Sequence, residues 1–396
     1  MKGSTKSSEI GIHLGFLDGI RGWAALNVAL VHAWGVTYRR VAAGPPPGWF
    51  MRIREFLVPG EWSVCIFIVL SGFCLALPIA RGPRLELPNG LADYVRRRAL
   101  RILPPYYAAL FLSLAMIALY PAMTEGNTTP GHILVPAFGV GPLLSHLLVV
   151  HNFSATWMTK ILSPAWSIAI EWQIYFLLPL VFLPIWKRLG PAGVVVAGLI
   201  IGALAPSQLA KFAGIHNDIG WRYVALFSFG IAAAGICFPR TGGSRLVSLP
   251  CWRLAAWGLS ACCALSQLTP MRGETSQDFL VGVSGAVVIV YLTFNRIERL
   301  GSLLGGFLNA KTSRALGQFS YSLYLTHSIV YFAVEPLLFN LGLPLLPRLI
   351  LMFAVALPAG LGLAYLFHLV VERPSLRRMG RRTVLSPGRK DYVAAS

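Results

Sequence analysis

The chain has 396 residues, of which 56% are hydrophobic and only 12% charged, and its mean hydropathy is +0.64. Soluble domains carry about 25% charged residues, so the composition excludes a soluble globular protein and indicates a polytopic membrane protein. The net charge of +19 reads as basic loops on one side of a bilayer, not as nucleic-acid binding. The six cysteines form no CxxC pair, so neither a disulfide framework nor a metal site is expected.

The fold class expected is all-α, with about ten transmembrane helices in an N-in, C-in arrangement. Ten apolar stretches lie near the ~20 residues that cross the hydrocarbon core. They fall at 17–37, 61–80, 102–121, 163–186, 190–207, 220–238, 252–269, 278–295, 316–337 and 347–370. Residues 1–13 read as a cytoplasmic tail, 14–374 as one transmembrane domain and 375–396 as a basic, mobile cytoplasmic tail. The first stretch lacks a small-residue cleavage site and is expected to be a retained helix. With the N-terminus inside, the inner side receives 25 of the 34 Lys and Arg, as the positive-inside rule requires. The 38–60 loop, with Arg39, Arg40, Arg52 and Arg54, is placed outside against that trend. Its GPPPG stretch at 44–48 marks a turn-rich loop. The segment 122–162 is too polar in its first half to span. Within it GPLLSHLLVVHNF, 141–153, reads as an interfacial or re-entrant helix on the outer side.

The first span, FLDGIRGWAALNVALVHAW at 16–34, contains Arg21 and His32. An ionisable group in a membrane helix is costly and marks a functional site by default. Eleven residues return to within about 20° of the same helix face and cover ~16 Å. One face therefore carries a cation near the cytoplasmic edge and a base deep inside, with Asp18 three residues before Arg21 as its expected partner. Glu171 in the fourth span and His327 in the ninth fall at the middle or outer half of the bilayer and can share a cavity with His32. Ser167, Glu171 and Tyr175 form one polar stripe at i, i+4 spacing, and Ser320, Tyr324, His327 and Tyr331 form another. The competing reading of such stripes is interhelical hydrogen bonding without function. Glu335 and His368, near span ends, read as interfacial. The inner loop 81–101 carries Arg81, Arg84, Arg96, Arg97, Arg98 and Arg101 against Glu86 and Asp93. It is either a topology signal facing anionic lipid or a phosphate site, because guanidinium forks match phosphate oxygens.

Six motifs in order resemble the acyltransferase-3 family of integral membrane O-acyltransferases. They are LDGIRGWAALNVALVH at 17–32, FIVLSGF at 67–73, RRRALRILPPYY at 96–107, WSIAIEWQIYFLLPL at 166–180, SYSLYLTH at 320–327 and VERPSLRR at 371–378. The resemblance runs from about residue 14 to 374. It departs at Trp172, where the family often has a second glutamate after Glu171, and no fused SGNH-type domain follows.

The resemblance implies transfer of an acyl group, often acetyl, from acyl-CoA to a hydroxyl of a sugar-containing acceptor. Such acceptors include a surface polysaccharide, a lipid-linked glycan or a glycosylated macrolide. No cofactor is expected to be bound permanently, since acyl-CoA is the donor substrate. On this reading Arg98, Arg101 and Arg21, with Arg97 beside them, hold the CoA phosphates. His32 acts as general base on the acceptor hydroxyl, and Glu171 orients His32 or the acceptor. Tyr324 or His327 stabilises the oxyanion. An acyl-histidine intermediate is the mechanistic rival. The expected partners are acyl-CoA, the acceptor, the lipid bilayer of the inner (plasma) membrane and, as one option, a second copy of the chain; nucleic acid is not among them. Two other classes fit the same residues. One is a proton-coupled exporter using Arg21, His32, Glu171 and His327 as a relay, and the other a membrane sensor without turnover.

Overall fold

The computed structural model describes residues 14–38, 47–50, 58–125, 137–213, 220–239, 249–266, 274–298 and 301–381, and every regular element among them is helical. In chain order the longer helices are α1 (Phe16–Thr37), α2 (Gly60–Arg81), α3 (Gly90–Leu119), α4 (Val140–Leu147), α5 (Trp166–Leu177) and α6 (Leu183–Ala213). They continue as α7 (Arg222–Cys237), α8 (Leu249–Ser266), α9 (Glu274–Ile297), α10 (Leu303–Asn309), α11 (Lys311–Gln318) and α12 (Ser320–Asn340). The last three are α13 (Leu345–Leu351), α14 (Leu357–Phe367) and α15 (Arg373–Arg381).

Each of the ten expected stretches coincides with helix. Among the described residues, six helical stretches are long and apolar enough to cross a membrane: Gly60–Arg81, Gly90–Leu119, Ser163–Ala205, Ser276–Ile297, Ser320–Asn340 and Leu345–Met379. Arg222–Cys237 is apolar but shorter. The stretches expected at 163–186 and 190–207 form one run, broken where Gly190 takes φ 69°. That left-handed conformation is open to glycine at no steric cost. The third helix starts twelve residues before its expected span, so Arg96, Arg97, Arg98 and Arg101 lie on α3 and not in a loop. The basic stretch 296–314, expected as a loop, contains α10 and the start of α11. The stretch expected at 316–337 is split at Phe319 between α11 and α12. The turn-rich GPPPG stretch lies largely outside the described residues.

The helices form two groups. In one, α7 packs against α2, α6 and α9, and α8 packs against α9. In the other, α12 packs against α1, α3 and α14. The contact between α1 and α2 joins them. One close crossing is between α2 and α7. A Cβ on Gly72 would collide with the Phe227 carbonyl oxygen, and one on Gly230 with the Val69 carbonyl oxygen. Small residues permit such backbone approach, which replaces the hydrophobic drive that lipid does not supply. Gly230→Val is therefore expected to destabilise the fold by about 1–3 kcal/mol through overpacking, read as a lower Tm in detergent. Beside this crossing a buried ion pair, Arg222 Nε to Asp278 Oδ2 at 2.7 Å, joins α7 to α9, and Cys65 Sγ of α2 donates to Asp278 Oδ1 at 3.3 Å.

Prolines shape the membrane helices and create their cross-links. Proline removes the hydrogen bond to the carbonyl four residues earlier. Pro179, in the π turn Leu178–Phe182 that joins α5 to α6, deprives the Tyr175 carbonyl of its donor, and Tyr94 OH of α3 supplies one at 2.9 Å. Pro104 does the same to Leu100, whose carbonyl accepts from Ser375 Oγ at 2.5 Å. That bond docks α15 on α3. The boundary expected after Pro374 thus falls inside a docked helix. Residues 375–381 are part of α15, where Arg96 Nη2 also donates to the Arg378 carbonyl at 3.4 Å.

Candidate active site

The segment between α3 and α5 holds one wall of the site. The expected short helix is present as α4, followed by left-handed Val149 (φ 57°) and a 3-10 turn at His151–Phe153. Hydroxyls of α3 fasten it: Tyr106 OH to the His146 carbonyl at 2.8 Å, Tyr107 OH to the Leu147 carbonyl at 2.7 Å and Ser113 Oγ to the Ile161 carbonyl at 2.5 Å. Asn152 and Gln173 exchange two amide bonds at 3.0 and 2.8 Å. The His146 and His151 rings stack at 3.9 Å. Burial pushes both below the usual imidazole range, His146 to about 4 and His151 to about 3, with each other's charge a further cause for His151. The pair is uncharged near pH 7, as close ring stacking requires. This wall ends in the turn Ser163–Ala165. There Tyr324 OH of α12 donates to the Pro164 carbonyl at 3.0 Å and bonds Ser167 Oγ at 2.6 Å.

Across the bundle, α1 and α12 bring His32 and His327 together. His32 Nδ1 lies 2.8 Å from His327 Nε2, and the rings stack with centroids 5.1 Å apart. His327 is fully buried and His32 half-buried. His327 Nδ1 lies 2.7 Å from the Leu323 carbonyl oxygen. A carbonyl only accepts, so His327 Nδ1 carries its proton. The neutral ring then accepts at Nε2, and the proton between the two rings belongs to His32 Nδ1. His32 Nε2 is left with its lone pair and has no hydrogen-bond partner among the described residues. The arrangement has the logic of a base held in one tautomer by an orienting partner.

Glu171 does not join this dyad. Its Oε1 accepts from Ser71 Oγ of α2 at 2.5 Å and from Tyr175 OH one turn along α5. Ser71 also receives Tyr175 OH at 3.3 Å. Arg21 pairs with Asp18 at 3.0 Å, as its spacing suggested, and its Nη2 donates to Cys74 Sγ at 2.9 Å. Both Arg21 and Arg98 lie within electrostatic range of Tyr175, and Arg21 within range of Glu171. Tyr175 is thus the meeting point of a second polar nest, built from α1, α2, α3 and α5. In that nest Glu171 faces Arg21.

The remaining expected residues divide. Among the described residues Arg98 Nε is buried with no hydrogen-bond partner, and Arg101 lies within range of Arg98 with no carboxylate paired to it. Both remain available to an anion. Arg97 is committed to Asp93 and to the Pro88 carbonyl at 3.2 Å. Tyr324 gives its proton to Pro164, and His327 gives its own to Leu323, so neither offers a spare donor to an oxyanion in this geometry. Ser320 Oγ turns back to the Gly317 carbonyl at 2.8 Å. Glu335, read as interfacial, is buried and pairs with Arg348 at 4.0 Å, while His368 pairs with Glu372 at 2.9 Å. Ser71 and Cys74 were not singled out by sequence, although Ser71 lies inside the FIVLSGF motif.

The chain is thus a helical membrane protein with a histidine dyad in its interior and a basic nest nearer one helix end, and comparison with known proteins assigns its class. The acyltransferase domain that defines the acyltransferase-3 family matches residues 14–369, and the chain belongs to that family. It is also similar to the protein named acyltransferase MdmB of Streptomyces mycarofaciens, at 26% identity over 94% of each chain. No solved structure matches it.

Proposed function

We propose that the protein is a multi-pass enzyme of the inner (plasma) membrane that transfers an acyl group, acetyl in the first instance, from acyl-CoA to a hydroxyl of a sugar-containing acceptor. The supporting observation is the unpartnered Nε2 of His32, held by the His327–Leu323 chain. Nε2 takes the proton of the acceptor hydroxyl as the oxygen attacks the thioester carbonyl. The tetrahedral intermediate then collapses with loss of the CoA thiolate, which recovers the proton from His32. Glu171, hydrogen-bonded to Ser71 and Tyr175, faces Arg21 in the basic nest. On this reading Arg21, Arg98 and Arg101 hold the donor's phosphates at the cytoplasmic mouth, and the ~16 Å along α1 from Arg21 to His32 accommodates an extended pantetheine arm. The ten-helix, N-in and C-in arrangement belongs to this proposal, because it puts the basic nest on the side where acyl-CoA is made. The acceptor class includes surface glycans, lipid-linked sugars and glycosylated macrolides.

Arg98→Gln is expected to raise the KM for acyl-CoA by about 10–100-fold, the loss of a charge-assisted contact, while kcat stays near wild type. Initial rates against donor concentration read this split. The class itself is tested in proteoliposomes. Product formation that requires both acetyl-CoA and a sugar acceptor supports the enzyme, whereas acceptor flux across the bilayer without CoA overturns it in favour of the exporter.

A further inference from the structure

A cavity of about 410 Å³ lies between the first residues of α1, the end of α9, α10 and α11, and none of the residues of the two polar nests lines it. That volume is within the range of small-molecule sites. Among the described residues its polar lining is Asn295, Arg296, Ser302, Asn309 and Arg314, with no carboxylate. Gly301, Gly305 and Gly306 make up much of the remaining wall. A Cβ at Gly301 or Gly306 would meet nothing within 4 Å, so the backbone there borders open space.

The polar atoms are unspent. Asn295 is 6% exposed, and its Nδ2 is buried with no hydrogen-bond partner among the described residues. A buried amide donor left unmade costs about 1–3 kcal/mol, and a ligand acceptor in the cavity removes that cost. Arg314 Nε is likewise buried without a partner. Ser302 Oγ accepts from Gly305 N at 2.9 Å, which leaves its own O–H to donate. Asn309 Nδ2 is already used by the Gly305 carbonyl at 2.8 Å. The exposed Arg296 adds a second cation at the rim. Two guanidiniums, one amide and one hydroxyl, all donors and without an opposing acid, define an acceptor-rich dianion.

We infer that this cavity binds a phosphate monoester, by Arg314, Asn295 and Ser302 with Arg296 at the rim, as a site separate from the transfer chemistry. The phosphate has two sources, the headgroup of phosphatidic acid and a soluble phosphorylated metabolite. The inference stands independently of the proposed acyl transfer.

The test uses the full chain in phosphatidylcholine nanodiscs. Thermal unfolding is followed with phosphatidic acid against diacylglycerol in the disc, and separately with phosphoethanolamine against ethanolamine in solution. The expected result is a saturable rise in Tm with one phosphorylated probe and none with its dephosphorylated counterpart. Arg314→Gln is expected to weaken that probe's apparent affinity by about 10–100-fold. Gly306→Val, which fills the open wall without touching a donor, is expected to do the same and serves if the arginine variant does not fold. A lipid response assigns the headgroup, and a phosphoethanolamine response assigns the metabolite. No Tm rise with either probe, or an undiminished rise in the variants, overturns the inference.

Discussion

His32→Ala is expected to lower acyl transfer by about 10²–10⁴-fold, the range that a positioned general base contributes. Mass spectrometry of the acceptor reads the loss as missing acylated product. The melting temperature should stay near wild type, because His32 is half-buried and bonded through one ring nitrogen to one partner. Donor affinity should also persist, since Arg21 and Arg98 lie toward the other end of the proposed donor path. A variant that binds acyl-CoA but transfers nothing separates the base from the binding site. A variant that fails to fold would instead give His32 a structural role.

His327→Leu carries the second large effect. Without Nε2 as acceptor, the His32 ring loses the bond that fixes its tautomer and can expose Nδ1–H or Nε2–H to the acceptor. In the serine protease triad, loss of the correct tautomer alone costs about 10⁴ in kcat. A neutral histidine is a weaker orienter than a carboxylate, so a fall of about 10²–10³ in kcat is expected here, with the donor KM little changed. His327→Gln keeps an acceptor near the Nε2 position and should recover part of the activity. Equal losses in the Leu and Gln variants would show that the imidazole acts by packing, not by the hydrogen bond.

Much of this arrangement was legible in the sequence, and what was not has physical causes. Helix positions follow from runs of apolar residues, which lipid demands. Short-range pairs on one helix face follow from 3.6-residue geometry: Asp18 with Arg21 and Glu171 with Tyr175 both meet as their spacing requires. Convergence of His32 and His327 depends on how α1 packs against α12, and spacing within one helix says nothing about that. Depth alone put Glu171 level with His32. The rotation of α5 instead turns it toward Ser71 and Tyr175. The Arg222–Asp278 pair was hidden because each partner sits near the end of its own helix, where a charge reads as interfacial. The helices α10 and α11 were hidden by polarity. They are short, and their contact with α1, not their own hydropathy, stabilises them. The early start of α3 has the same cause, since its first turns are basic but docked by Tyr94 and Ser375.

The central claim is that His32, held by His327, is the base in an acyl-CoA-dependent transfer to a sugar hydroxyl. The direct measurement is free-thiol release by the purified protein with acetyl-CoA and a panel of glycan acceptors, with wild type and His32→Ala run side by side. The account predicts release that rises with one acceptor class in wild type and stays at background in His32→Ala. Acceptor-dependent release at equal rates in both proteins would contradict it.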